Sequence, residues 1–373
     1  MKYAFQGFKK AFLDGLVGFG LDNATLLDIG CGRGECVTYL TEITRAAKVF
    51  GVDPGLIGNP MYAGASLQGE RFQLLPASAE RTGLADQSID VIFSLVVFEH
   101  LPFLKETLDE FYRILKPGGL FISFWYPLWS SRHGHHFMFW IPEFAPLIEP
   151  WSHLLLTQEE LRSHLKNYLH PSAVNYVIRY VYESPYLNRR PYRDYMEAFA
   201  GMPLERVYVK ELITPTPPPE VLENLPEKLR EGCRVGGFDV VFQRPGGSRQ
   251  VSIDEIESFF AEVHRPAPKP DAVIIDNEKI LGAIGETKES TLIFTRQEAK
   301  LADAEALHSQ LSNCTLVEHE LTPGQLNPKF DLAIILQSSD SNFAFTQAIS
   351  HVIRAKRIIA VDEKGAVMEL SSP

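Results

Sequence analysis

The sequence predicts an α/β fold with a parallel sheet covered by helices on both faces. Two observations predict it. Short apolar runs alternate with helical stretches over residues 1–125, a rhythm typical of strand–helix–strand units. The apolar run at 26–29 leads straight into a glycine-rich turn and a helix. Apolar runs begin to alternate with helical stretches again beyond residue 270, which predicts a second, smaller α/β domain.

The turn after the first strand carries Gly30, Gly32 and Gly34 at every second position. Glycine allows backbone conformations closed to other residues and lets a ligand lie against the main chain. A helix predicted to begin at Glu35 offers the free N–H groups of its first turn. The dinucleotide fingerprint G-x-G-x-x-G would need a glycine at position 35, and no Gly-Lys-Ser/Thr follows, as a phosphate loop requires. The turn therefore indicates a nucleotide-type ligand of another class.

The pattern D-x-G-x-G-x-G over residues 28–34 resembles the first motif of the class I S-adenosylmethionine-dependent methyltransferases. Later segments resemble that family's further motifs in the family's order, namely a second strand ending in an acid (47–53), a third strand with the adenine-facing loop (71–80), a fourth strand with a Glu-His-Leu exit (88–101), and a helix end, turn and fifth strand (113–122). The resemblance implies S-adenosylmethionine as the cofactor. It also implies a seven-stranded, mostly parallel, doubly wound sheet, with residues 207–213 and 237–243 as its antiparallel edge.

The resemblance also implies which residues hold the cofactor. These are Asp28, Gly30, Cys31, Gly32, Gly34, Asp53, Pro54, Ser78, Ala79, Glu80 and Leu95. Asp28 is expected to help orient the ammonium group, and Asp53 to accept bonds from both ribose hydroxyls. Many family members have an aspartate where Ser78 stands, but a serine hydroxyl can also accept a hydrogen bond from the adenine amino group.

Composition limits the remaining possibilities. With 373 residues the chain is long enough for two domains, and its formal charge of −11 argues against a nucleic-acid partner. No apolar run reaches the roughly 18 residues that span a bilayer, and the N-terminus lacks a secretory pattern. The four cysteines include no C-x-x-C pair and predict reduced thiols. We therefore expect a cytoplasmic protein without a membrane span.

The order of motifs predicts the domain organisation. A methyltransferase domain is expected over residues 1–245, with a substrate-binding insertion at about 126–206 and a helix at 220–230. A helix at 253–263 and a proline-rich linker are expected within 246–270. Residues 271–373 predict a small α/β domain for docking or oligomerisation, such as a homodimer. Its expected elements are strands at 272–276, 291–295, 330–336 and 357–361, and helices at 297–311 and 343–354.

The predicted insertion concentrates the residues suited to acceptor chemistry. Residues 121–153 hold all four tryptophans and four of the eleven histidines; the aromatic side chains either line an acceptor pocket or form the core of a helical lid. Histidine titrates in the range that removal of a hydroxyl proton needs. His135 and His136 are the first candidates for a base, followed by His100 and His153, with a purely structural role as the alternative.

Two further sets of residues in this region are open to two interpretations. A metal site from Glu99, His133 and the paired histidines is conceivable, but no H-E-x-x-H spacing supports it, so no metal is expected. The basic run at 189–193 either holds an anionic group of the acceptor or is a solvated loop.

The function that follows is S-adenosylmethionine-dependent O-methylation of a small molecule or glycan in a biosynthetic pathway. One alternative is a protein methyltransferase that docks its target on the C-terminal domain. Another is a scaffold that keeps the cofactor corner without catalysis; the intact glycines and the acids Asp28 and Asp53 argue against that alternative.

Overall fold

The computed structural model describes residues 7–58, 65–137, 147–169 and 171–265, and five strands beyond residue 290. The chain forms two compact units. Residues 1–134 and 185–267 make up the first unit, and residues 135–184 and 268–373 make up the second. The described part of the chain contains no helix with both the length and the hydropathy that a bilayer crossing requires.

The helices, in chain order, are α1 Gly7–Leu16, α2 Glu35–Ile43, α3 Leu104–Ile114, α4 Ser152–Leu155, α5 Gln158–Leu165, α6 Pro171–Ile178, α7 Tyr192–Gly201, α8 Pro219–Asn224, α9 Glu227–Arg230 and α10 Ile253–Val263. The strands are β1 Thr25–Ile29, β2 Lys48–Val52, β3 Phe72–Leu75, β4 Ile89–Leu95, β5 Leu115–Trp125, β6 Glu205–Ile213, β7 Val235–Gln243, β8 Thr291–Thr295, β9 Cys314–Glu318, β10 Phe330–Leu336, β11 Ala355–Val361 and β12 Val367–Leu370.

The first unit is built on a seven-stranded sheet in the order β3-β2-β1-β4-β5-β7-β6. The strands β1 to β5 pair in parallel, and β7 pairs antiparallel with both β5 and β6. The predicted seven-stranded, mostly parallel sheet is therefore confirmed. Because the carboxyl ends of parallel strands meet at one edge, this topology gathers the loops that follow β1, β2, β3 and β4.

Both faces of this sheet are buried, which explains the nearly continuous apolar runs of its strands. Successive side chains of a strand point to opposite faces. Leu26 accordingly packs with Phe12 of α1 and Val37 of α2. Leu27 instead packs on the other face of the sheet, in the same core cluster as Phe111 of α3.

The prediction of a single helix over residues 220–230 is wrong. The chain forms α8 and α9 instead, separated by Leu225 and Pro226, both in extended conformations. Proline has no N–H to continue the hydrogen-bond ladder of a helix, and its ring disfavours the helical conformation of the preceding residue. Pro226 therefore ends one helix and serves as the N-cap of the next.

The first unit extends beyond the boundary predicted at 245. A capping box of Ser252 and Glu255 starts α10, and Ile256 and Phe260 of this helix are buried in the core. The ring of Phe259 contacts that of Phe12 of α1, with centroids 5.1 Å apart. The apolar face of α10 thus completes the cover of one sheet face, whereas residues 135–184 of the predicted insertion belong to the second unit.

The second unit contains a five-stranded sheet in the order β12-β11-β10-β8-β9, with β12 antiparallel to β11. Three of its strands cover runs that the sequence predicts, while β9 and β12 were not predicted. The strand predicted at 272–276 and the helices predicted at 297–311 and 343–354 lie outside the described residues, as does most of the proline-rich linker.

Candidate active site

The turn between β1 and α2 needs glycine for two physical reasons. Gly30, Gly32 and Gly34 have φ of 72°, 53° and 82°, in the left-handed region that side chains disfavour. A Cβ atom on Gly30 would also lie 2.5 Å from Cγ2 of Val97, in the loop after β4. The turn is therefore packed directly against the exit of β4, and its backbone is open to a ligand.

Asp53, which follows β2, fixes this turn. Its Oδ2 accepts a hydrogen bond from Gly32 N at 3.1 Å, and its Oδ1 accepts one from Gly55 N at 2.7 Å. A carboxylate has about four acceptor positions, so each oxygen retains capacity for another donor. The side chain is half-buried. A role toward ribose hydroxyls stays a prediction, and the structure adds that Asp53 also shapes the glycine turn.

Asp28 is a buried acid at the end of β1, with 3% of its surface exposed. Its Oδ2 has no hydrogen-bond partner among the described residues. Burial raises the pKa of Asp28 to about 8, with a further contribution from Asp53, while the nearby Lys9 works in the opposite direction. An orphaned buried carboxyl of this kind costs stability unless a donor reaches it. The site therefore favours a ligand that carries a cation or several N–H groups.

The other residues predicted to bind the cofactor lie on the same edge of the sheet or close to it. The parallel register pairs Ile29 with both Val52 and Ser94, and Val52 with Leu75, so the segments after these strands adjoin. Ala79 and Cys31 are buried, Ser78, Glu80 and Leu95 are half-buried, and Pro54 is exposed. Burial raises the pKa of the Cys31 thiol, so this cysteine is not a thiolate nucleophile.

The exit of β4 has an unusual backbone. Val96 has φ of 55°, which is an outlier for a β-branched residue. Its N–H donates to Phe124 O of β5 at 2.9 Å, which helps to hold this conformation. Strained residues of this kind concentrate at functional sites. Val96 turns the chain from β4 into the 3₁₀ turn Phe98–His100.

Glu99 and His100 form an acid–imidazole pair in that turn. Glu99 is 2% exposed, and neither of its carboxyl oxygens has a hydrogen-bond partner in the part of the chain that the structure describes. Oε1 lies 4.0 Å from Nε2 of His100. Burial raises the pKa of Glu99 well above its usual range and lowers that of His100, which the Tyr186 carbonyl opposes. The Tyr186 carbonyl can only accept a hydrogen bond. We therefore assign the ring proton of neutral His100 to Nδ1, which donates to this carbonyl.

Asn188 holds the backbone of this turn from a distant part of the chain. Its backbone N–H donates to Glu99 O at 3.0 Å, and its Nδ2 donates to Phe98 O at 2.7 Å and to Leu101 O at 3.1 Å. The hydroxyl of Tyr195 also donates to Phe98 O, at 3.2 Å. Sequence reasoning missed both residues, since they lie about 90 positions away from the turn and no motif links them to it.

The histidines predicted as first candidates for the base lie in the second unit. His135 and His136 are buried. Nδ1 of His135 accepts a hydrogen bond from Phe137 N at 3.1 Å, and its ring contacts that of His153, with centroids 5.4 Å apart. His133 lies in the first unit, where burial chiefly lowers its pKa to about 4. The catalytic role of these residues stays a prediction.

The aromatic segment 121–153 contributes to the core, and the basic run at 189–193 forms ion pairs. Trp125 is fully buried in the core and stacks on Phe98, with centroids 4.7 Å apart, whereas Trp140 lies outside the described residues. Arg190 pairs with Asp194 at 3.1 Å, and Arg193 pairs with Glu231. These pairs give the two arginines structural partners within the protein.

The comparison with known proteins agrees with this geometry. Residues 27–123 match a family described as a methyltransferase domain; this range runs from β1 into β5 and includes the glycine turn, Asp53 and the Glu99–His100 pair. Residues 27–123 of this chain thus match a methyltransferase domain. The cofactor of this family is S-adenosylmethionine.

Several known proteins are similar to part of this chain. A sterol 4-C-methyltransferase of Caenorhabditis elegans is 30% identical over 107 residues, which cover 28% of this chain and 31% of that protein. A malonyl-[acyl-carrier protein] O-methyltransferase of Coxiella burnetii is 31% identical over 102 residues, or 27% and 33% of the two chains. A methyltransferase structure from Mesorhizobium loti covers 63% of this chain and 98% of its own, at 16% identity and a TM-score of 0.39. The chain spans about a third to a half of the length of the curated relatives.

The residues of this site fit S-adenosylmethionine. This cofactor has an amino-acid end, a ribose and an adenine, and no phosphate. The buried Oδ2 of Asp28 lacks a partner among the described residues, as a site for an ammonium group requires. The glycine turn has no room for a side chain at Gly30 or Gly34, and Asp53 retains acceptor capacity for hydroxyls.

Proposed function

We propose that this methyltransferase transfers a methyl group from S-adenosylmethionine to a hydroxyl of a small molecule or glycan. The observation that carries the proposal is the glycine turn bordered by Asp53 and by the buried Asp28, whose Oδ2 has no hydrogen-bond partner among the described residues. The relatives named above act, by their names, on a sterol carbon and on malonyl-acyl-carrier protein. The shared core is thus compatible with different acceptors, and the acceptor is proposed from residues of this chain.

The chain's own residues would hold the cofactor by its polar groups. Asp28 would accept from the ammonium group, Asp53 from the ribose hydroxyls, and Ser78 from the adenine amino group, while Leu95 would contribute apolar contact at the end of β4. When bound, S-adenosylmethionine supplies an electrophilic methyl carbon on a sulfonium centre. Displacement at this carbon depends mainly on the alignment of the acceptor. A rigid turn held by its own hydrogen bonds suits that requirement.

A hydroxyl acceptor must also lose its proton. We assign this task to the Glu99–His100 pair, next to the glycine turn that Val97 contacts. The carboxylate form of Glu99 with neutral His100 can take up the proton, after which the pair is uncharged. Because burial raises the pKa of Glu99, its carboxylate is a stronger base than an exposed one. His135 and His136 remain proposed as alternative bases.

We also propose a setting for the reaction. Scattered cysteines and an acidic composition support a cytoplasmic biosynthetic pathway. The second unit would then dock a partner or a second copy of the chain.

The experiment is methylation with isotope-labelled S-adenosylmethionine of a small-molecule fraction and a glycan fraction from source cells. We expect label in a hydroxyl-bearing product of one fraction. Label in protein alone would contradict the proposed acceptor class. With the acceptor in hand, E99Q should lower turnover by about 100-fold or more without changing cofactor affinity. H135A and H136A, compared in parallel, decide between the two assignments of the base: a large loss in either, with E99Q unaffected, would overturn the role of Glu99.

A further inference from the structure

Lys9 occupies a position on α1 where a surface lysine is not expected. Leu13 and Leu16 follow it at four and seven positions and are fully buried. Residues with this spacing share one face of a helix, so Lys9 continues the apolar stripe of α1 toward the glycine turn. Lys9 is half-buried. The methylene groups of a lysine on this face lie against apolar side chains, and its ammonium extends past these side chains to polar groups.

The ammonium of Lys9 lies among the groups of the cofactor corner. It hydrogen-bonds to the Cys36 side chain and interacts with the carboxylates of Asp28 and Glu35. Burial favours its neutral form, but these neighbours outweigh burial and raise the pKa of Lys9, so the group is a cation at neutral pH. The corner therefore presents a fixed positive charge together with the buried acid Asp28.

The helix that carries Lys9 is anchored on both sides of the corner. Tyr39 of α2 donates from its hydroxyl to Asp14 Oδ1 of α1 at 2.7 Å. Phe8 of α1 contacts Phe124 of β5, with ring centroids 5.6 Å apart. Lys9 is thus held near the turn by contacts to α2 and to β5, and its position does not depend on the charged groups alone.

We propose that Lys9 binds the carboxylate of the cofactor's amino-acid end while Asp28 binds its ammonium. The inference rests on the proposed function, since it needs S-adenosylmethionine in the glycine corner. An amino-acid end is a zwitterion, and Lys9 offers the positive partner for its carboxylate. Without ligand at neutral pH the Asp28 carboxyl is mostly protonated, because burial raises its pKa to about 8. Asp28 becomes the negative partner of the ammonium by releasing this proton to solvent as the ligand binds. Charge-assisted hydrogen bonds of this kind are stronger than neutral ones.

The test measures affinity by calorimetry for three probes that differ only in the methionine part. These are S-adenosylhomocysteine, which has the ammonium and the carboxylate; decarboxylated S-adenosylhomocysteine, which has the ammonium alone; and methylthioadenosine, which has neither. All three are thioethers, so the charge at sulfur does not vary. In K9M, the affinity for S-adenosylhomocysteine should fall by about 10- to 100-fold. The affinities for the other two probes should stay within about twofold of wild type. K9R, which keeps the charge, should recover part of the loss.

K10M is the matched control, because Lys10 is exposed and pairs with Asp14 on the outer face of α1. It should leave all three affinities unchanged. Unaltered binding of methylthioadenosine by K9M also shows that the corner is folded. An equal loss for all three probes in K9M, or no loss for any, would overturn the role of Lys9. If the wild-type protein bound none of the probes, the proposed function itself would fail instead.

Discussion

The substitution D28N is predicted to stabilise the protein without ligand and to weaken its binding of the cofactor. Asn has nearly the shape of Asp but carries no charge. In the absence of a ligand, the carboxylate of Asp28 is buried, and its Oδ2 has no partner among the described residues. Removal of that charge should relieve the cost of burial. The same removal takes away the acceptor that we assign to the ammonium of the cofactor.

The magnitude depends on pH in a defined direction. Burial raises the pKa of Asp28 from its ordinary 3.8 to about 8, so the folded state binds this proton more tightly than the unfolded state. The stability that the group contributes is therefore fully present below about pH 4 and is lost as pH rises through about 8. The advantage of D28N should be absent near pH 4 and level off above pH 8. The rise from 3.8 to about 8 sets an upper bound of about 5–6 kcal/mol on the gain at high pH. The buried amide of Asn leaves an unpaired polar group that costs about 1–3 kcal/mol, so we expect a net gain of about 2–4 kcal/mol, at about 2–4 °C in Tm per kcal/mol.

The assay is thermal unfolding of wild type and D28N at pH 6 and pH 9, paired with calorimetry using S-adenosylhomocysteine. D28N should melt higher than wild type, with the larger difference at pH 9, and bind the ligand at least about tenfold more weakly. A D28N protein that melts lower at both pH values, or that binds equally well, would refute this account of the buried acid.

Three other substitutions test the surroundings of the same corner. D53N should weaken S-adenosylhomocysteine binding by about tenfold or more in calorimetry, because one oxygen that serves the turn and the ribose becomes a donor; unchanged affinity would contradict the assigned role. G30A should lower the free energy of unfolding by about 1–3 kcal/mol in chemical unfolding, because its methyl group would lie 2.5 Å from Val97. G83A is the control: Gly83 has φ of 74° and nothing within 4 Å of an added Cβ, so this variant measures the cost of backbone strain alone. N188A removes the side-chain donor that holds the turn after β4 and should cost about 1–3 kcal/mol in the same assay; no loss would mean that the turn is held by other contacts.

Much of the first unit was predictable because its signals are local. The strands of a sheet buried on both faces appear as apolar runs, and the three glycines mark backbone conformations that only glycine adopts at low cost. Asp28 lies next to the last residue of β1, and Asp53 follows β2 directly, so the edge of the sheet at which both lie could also be predicted. The parallel order of β1 to β5 then brings these residues together without further information.

The parts that sequence reasoning missed depend on contacts between distant segments. Asn188 reaches the turn after β4 from about 90 positions away, and nothing near Asn188 in the sequence indicates that contact. In the sequence, Lys9 is one of two adjacent lysines with no feature to distinguish them. The burial of Leu13 and Leu16 shows that Lys9 lies on the face of α1 toward the core. The packing of α10 in the core of the first unit was not predictable, because the amphipathic pattern of α10 does not say which apolar surface the helix covers.

The most direct test of the central claim is calorimetric titration of the full chain with S-adenosylhomocysteine at neutral pH, with D28N and D53N titrated alongside. The account predicts binding of one ligand per chain by wild type and weaker binding by both variants. Absence of binding by a folded wild-type protein, or equal binding by all three proteins, would contradict the claim that the glycine turn with its two acids is the methyl-donor site.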